Sequence, residues 1–321
     1  MSDAVSSTTY QSYRGLPTLA GLATLADATK PGLSVEECVK RLKRYHYAFR
    51  RLHETFTARI TAEPIYELKT GFSHHAYLCA EHVTALRTRV GEMREPPLGL
   101  EEIPHPALEQ FFDEVRAAPT TAELLVGLYE KALPALDADL ERHVRDTHPI
   151  ADAPSVRLIR FARMELADMI DFGRRAIECL VDTAARAKMA DWLAELDACL
   201  ILAEKLPARR HSAKDWRYDP LPRRDERFQD LYNQGVNAEA FIYDESLPPK
   251  PKALMMLYKR LREIDVPEMM ASILIETKGQ PWGYNRDMTR QLWDEARHAM
   301  LGEVGFVALG VDWTRARITH N

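Results

Sequence analysis

The sequence has few cysteines, and they are too scattered to build a disulfide framework or a zinc ribbon. Cys38, Cys79, Cys179 and Cys199 form no C-x-x-C pair, so they read as reduced thiols within helices. No stretch reaches the roughly 18 uninterrupted apolar residues that a membrane helix needs. The opening MSDAVSSTTYQSYRG has no basic segment leading into an apolar run, so cytoplasm is the expected compartment. Positive charge is also short. A formal net charge of -5 over 321 residues offers no broad basic field to phosphates, and nucleic acid is not an expected partner. No G-x-G-x-x-G, P-loop or G-x-S-x-G elbow occurs, which leaves a nucleotide cofactor and a serine nucleophile without support.

Alternating strand patterns longer than a few residues are missing too, as is any repeat period of a solenoid. What is present is helical. With 46% apolar and 28% charged residues, the chain has the balance of a globular protein, long enough for one large helical domain or two modest ones. Residues 1–33, rich in Ser, Thr, Gly and Pro, read as an N-terminal arm. Residues 34–206 read as the N-terminal helical half of a bundle. The first helix starts at Ser34, which with Glu37 forms a capping-box pattern and leads Val35, Cys38, Leu42, Tyr45, Phe49, Leu52 and Phe56 at helical spacing. Further helices are predicted over about 65–94, 106–117, 121–146, 153–186 and 189–205. Residues 207–249 read as a long connection with a short helix near 225–234. Residues 250–321 form a C-terminal helical hairpin, whose last helix is predicted to be capped by Asn285 and to run from 286 to 307.

The sharpest local signal is Trp293-Asp294-Glu295-Ala296-Arg297-His298, an E-x-x-H inside a helix. Spacing of i, i+3 puts a carboxylate and an imidazole on one face, where both can grip one ion. The other match, Glu102 to His105, contains Pro104 and lies in a connection. Glu268 lies about 11 residues before the Gly279 stop and Glu295 about 10 after Asn285, so at 1.5 Å per residue both are expected roughly 15 to 17 Å from the turn. An antiparallel hairpin would set them face to face. Iron or manganese pairs use bridging carboxylates from several helices, and the N-terminal helices offer Glu67, His75, Glu81 and Glu165 as the other half. The bland alternatives are ion pairing of Glu295 with Arg297 on a solvated face, and surface charge or buried salt bridges for the N-terminal acids.

The stretch PEMMASILIETKGQPWGYNRDMTRQLWDEARHAMLGE, about forty residues, resembles the second helical hairpin of the ferritin-like di-iron carboxylate superfamily, especially its bacterial members with a D-E-A-R-H helix. YELKTGFSHHAYLCAEH is more weakly similar to their N-terminal histidine-bearing helix. The resemblance implies an all-α, ferritin-like helical bundle with additional helices. It also implies ligands Glu268, Glu295 and His298, since each half supplies one Glu from its first helix and an E-x-x-H from its second. The first half here has no helical E-x-x-H. The superfamily includes oxygenases, desaturases, a tRNA hydroxylase, ribonucleotide reductase subunits and iron stores, so membership alone does not choose a reaction. The expectation is a metal-dependent oxidoreductase with di-iron or iron/manganese, acting with dioxygen and an electron donor on a small organic substrate, with a homodimer as a possible assembly. The alternative is a non-enzymatic scaffold with a degenerate site; an iron store fits least, because the extra helices would obstruct a closed shell.

Overall fold

The computed structural model describes residues 10–227 and 238–315. Among them every regular element is helical, and no helix is long and apolar enough to cross a membrane. Ten helices carry the architecture: α1 Val35–Ala62, α2 Tyr66–Met93, α3 Pro106–Arg116, α4 Thr121–Val126, α5 Leu133–Asp146, α6 Ala153–Leu180, α7 Ala190–Leu200, α8 Pro249–Arg262, α9 Asp265–Glu276 and α10 Trp282–Ala308. The Ser34 hydroxyl accepts from the Glu37 amide and starts α1. The Glu63-Pro64 step ends it, and α2 turns back along it.

α1, α2, α10 and α9 close a ring of four packed helices, with α1 on α2, α2 on α10, α10 on α9 and α9 on α1. This is a four-helix bundle. Its centre is aromatic: Phe49 and Phe56 of α1 and Phe72 of α2 are fully buried, each contributing about 1.5–3 kcal/mol of apolar burial. Leu274 of α9 and Leu292 of α10 join the same core, so the C-terminal hairpin shares one interior with the N-terminal helices. Outside the ring, α6 packs on α2 and α5, while α8 packs on α10.

Several boundaries differ from the sequence expectation. The segment 121–146 is one rod interrupted by a π-helical turn, Gly127–Ala132, which presents Tyr129. Gly173 of α6 makes room for that ring, since a Cβ there would lie 2.0 Å from Tyr129 Cγ. The helix expected to reach 186 stops at Leu180, and the Asp182 carboxylate starts a separate short helix by accepting from Ala185 N at 2.7 Å. α10 begins at Trp282, directly after Pro281, so Asn285 is inside the helix and not its cap. Most of the short helix expected at 225–234 lies outside the described residues.

A buried polar clasp ties α1 to the α5–α6 corner. Thr147 donates to Asp152 Oδ2 at 2.8 Å, Arg89 Nη2 donates to Oδ1 at 3.0 Å, and His143 Nε2 lies 3.1 Å from Oδ2. Thr147 has given its only proton to Asp152, so the Cys38 thiol, 3.6 Å away, is the donor in their contact. Burial pushes the Cys38 thiol up, consistent with that role. Burial would also raise the Asp152 carboxyl, but hydrogen bonds from His143, Ser155, Thr147 and Arg89 hold it well below its ordinary value of 3.8. A carboxyl depressed in the folded state contributes stability that is complete above its unfolded value and lost as pH falls below it. Thermal melts from pH 6 down to pH 2 should therefore show an acid-side fall in Tm that is shallower in Asp152→Asn than in the wild type.

Candidate metal centre

The region around the E-x-x-H depends on how closely α8 approaches α10. Gly302 and Gly305, one turn apart on α10, leave the space: a Cβ on Gly302 would lie 2.5 Å from Leu261 N, and one on Gly305 would lie 2.2 Å from Leu257 Cδ2. The contact brings Glu263, at the C-terminal cap of α8, beside the middle of α10. His298 Nδ1 lies 3.1 Å from Glu295 Oε2 and 3.4 Å from Glu263 Oε2. The ligand-capable atoms of the three residues all lie within 4.8 Å of one another, and all three side chains are half-buried. One ion with bonds of about 2.1 Å closes such a span after small side-chain rotations.

Neighbours hold the two carboxylates. Arg260 Nη1 donates to both Glu263 oxygens at 2.9 and 2.8 Å, and Gln291 Nε2 donates to Glu295 Oε1 at 2.6 Å. These contacts leave Glu295 Oε2 and Glu263 Oε2 facing the imidazole. Arg297, the expected ion-pair partner of Glu295, pairs with Asp294 instead. Its guanidinium also lies 5.7 Å from the Trp293 ring, which stacks on His74 of α2 at 4.6 Å. Glu295 and His298 thus meet as the spacing predicts, but their third partner is Glu263, a residue the sequence reading passed over.

Glu268 does not join them. It is 1% exposed, with Oε1 accepting from Lys69 Nζ at 2.6 Å and Oε2 accepting from Arg224 Nη2 at 2.5 Å. Lys69 also donates to Ile60 O, and Arg224 reaches Asp265. The other candidates are likewise engaged. Glu67 receives a two-pronged Arg227 guanidinium at 2.7 and 2.6 Å, which holds its carboxyl below the usual range. Glu81 pairs with Arg286 at 2.9 Å. Glu165 Oε2 lies 2.7 Å from His82 Nε2, out of line for a hydrogen bond. His75 is enclosed by Phe56, Tyr129 and Phe172, with Nδ1 2.7 Å from Tyr129 Oη. Burial pushes its imidazole down to about 3, so it is neutral. The structure does not gather Glu67, His75, Glu81, Glu165 and Glu268 at Glu295 and His298.

No family model matches this chain, and neither a curated protein nor a solved structure matches it. The site is therefore read from its own chemistry.

The state of Glu268 generates a test. Neutralising it leaves the buried Lys69 ammonium without its carboxylate while Arg224 keeps Asp265, and breaking a buried pair in this way costs about 3–5 kcal/mol. Glu268→Gln should lower the unfolding free energy measured in urea by about that amount, while leaving any metal content at Glu263, Glu295 and His298 unchanged.

Proposed function

We propose that this chain is a metal-dependent oxidoreductase that holds a single iron or manganese ion between Glu263, Glu295 and His298. The convergence of two carboxylates and one imidazole from α8 and α10 carries this reading, because hard oxygen donors with one imidazole suit those metals. The resemblance of Pro267–Glu303 to ferritin-like carboxylate proteins supports Glu295 and His298, whereas Glu263 lies outside that stretch. One ion is proposed, and not a pair, because Glu67, Glu81, Glu165 and Glu268 are engaged with Arg227, Arg286, His82 and Lys69, and His75 with Tyr129, away from Glu295 and His298.

Held by Glu263, Glu295 and His298, such an ion would supply one-electron chemistry toward dioxygen for the oxidation of a small organic substrate. The chain's own residues set up the binding. Gln291 fixes Glu295 so that Oε2 is free for the ion, and Arg260 orients Glu263 while offsetting part of its charge. His298 faces both carboxylates through Nδ1, so holding the ion there requires the tautomer that carries its proton on Nε2.

The Arg260 contact also favours a second reading, in which the cluster is an interhelical ion-pair clasp of a non-enzymatic bundle. Metal analysis separates the two. Protein grown with iron and manganese and analysed by mass spectrometry should carry about one ion per chain, and added Mn(II) at about 100 times Kd should stabilise the wild type by about 2.7 kcal/mol. Glu295→Ala with His298→Ala should lose both effects. Metal-free wild type with a melt indifferent to Mn(II) and Fe(II) would leave the clasp.

A further inference from the structure

At the other end of α10, a cleft of about 1040 Å³ opens where the α9–α10 turn passes over α1. Trp282 lies about 20 Å along α10 from Glu295, so this cleft is separate from the proposed metal centre and does not depend on it. Its walls combine two indoles, Trp216 and Trp282, with Arg50, Arg87, Arg116 and Lys278.

The polar groups along the cleft are incompletely satisfied. His53 of α1 is 4% exposed. Its Nε2 lies 2.8 Å from Thr289 Oγ1, whose single proton goes to Asn285 O at 2.6 Å. Thr289 must accept, so His53 carries its proton on Nε2. Burial drives the imidazole down to about 4, which keeps it neutral. Nδ1 is then a bare acceptor, buried and without a partner. The Thr57 hydroxyl, on a side chain 1% exposed, and the Arg116 Nε are also buried without partners. Each such group costs about 1–3 kcal/mol if left unmet, and binding sites are where that cost is offset.

Arg50, Arg87, Arg116 and Lys278 line the cleft together with the carboxylates Glu54, Glu101 and Glu276. Glu101 serves both Arg50, at 2.7 Å, and Arg87, at 3.0 Å. Beneath them Asp113 is divided among Arg51, Arg209 and Arg116, the last at 3.5 Å. Arg59 and Arg116 approach the same Trp216 ring at 5.7 and 5.5 Å. Burial pushes Arg59 down to about 10, and Arg223 and Arg116 add to the shift. An anion entering here meets Arg116, whose nearest carboxylate, Asp113, lies 3.5 Å away and is shared with Arg51 and Arg209, beside flat aromatic faces.

We infer that this cleft binds a small organic carboxylate with a flat apolar body, the carboxylate received by Arg116 and Lys278 and the body laid against Trp216 and Trp282. Calorimetric titration of the full chain with 2-naphthoate and with neutral 2-naphthamide tests this. The expected result is saturable 2-naphthoate binding with a Kd below ~1 mM and 2-naphthamide at least about tenfold weaker. Arg116→Gln and Trp216→Leu should each weaken 2-naphthoate about tenfold, Lys278→Gln about threefold, and the distant Arg174→Gln not at all. Lys278 is exposed on the turn, so its variant remains informative if Arg116→Gln fails to fold. Inorganic phosphate should not displace the probe. Equal affinity for the amide, unchanged binding in Lys278→Gln, displacement by phosphate alone, or no saturable binding would each overturn the inference.

Discussion

The buried carboxylate of Glu268 faces two cations, Lys69 from α2 and Arg224 from the long connection. Taking these three charges out of water is expensive, and their mutual attraction compensates only when the geometry is good. Both oxygens and the lysine ammonium have close partners, and Lys69 adds a bond to Ile60 O at the end of α1. This arrangement pins α9 against α1 and α2 in one register, because a shift of one residue would turn the carboxylate away from both cations. It also decides which acid is left to face the imidazole on α10. With Glu268 turned toward α2, Glu263, five residues earlier, stands beside His298.

Much of the fold was legible in the sequence because periodicity and caps agreed. Ser34 with Glu37, the Glu63-Pro64 break and the Pro-rich link after Met93 marked α1 and α2 to within a residue or two. The hairpin ends differ from the expectation at both helices, by about one turn at the start of α10 and three residues at the end of α9. With Asn285 taken as a cap, Glu268 and Glu295 appeared level. With Trp282 as the first residue, Glu295 lies thirteen residues from its end of the hairpin, and the residue thirteen before Glu276 is Glu263. Glu263 comes level with Glu295 only when both helix ends move, α10 to Trp282 and α9 from Gly279 to Glu276. Asn285 misled because an asparagine inside a first turn resembles one that caps it; here its amide reaches back to Pro281 O.

The N-terminal acids were unreadable for a different reason. Glu67, Glu81 and Glu165 have the composition and spacing of ligands, but their partners Arg227, Arg286 and His82 lie on other segments, two of them more than 150 residues away. No local pattern reveals a cation that arrives from a distant connection. The cleft beside Trp216 was hidden likewise, since its walls come from α1, α2, α3, the long connection and the α9–α10 turn. The G-x-x-G on α10 was a usable signal: glycines one and two turns beyond the histidine announce a close neighbour, and that neighbour is α8 carrying Glu263.

α10 thus links the two chemical regions, with Thr289 and Trp282 addressing the cleft and Glu295 and His298 addressing α8. The account stands on the identity of the acid that completes the E-x-x-H. Anomalous diffraction from crystals grown with Mn(II), recorded at the manganese edge, measures this directly. The account predicts one peak bonded to Glu263, Glu295 and His298, with Glu268 still paired to Lys69 and Arg224; a peak held by Glu268, or no peak at these residues, would contradict it.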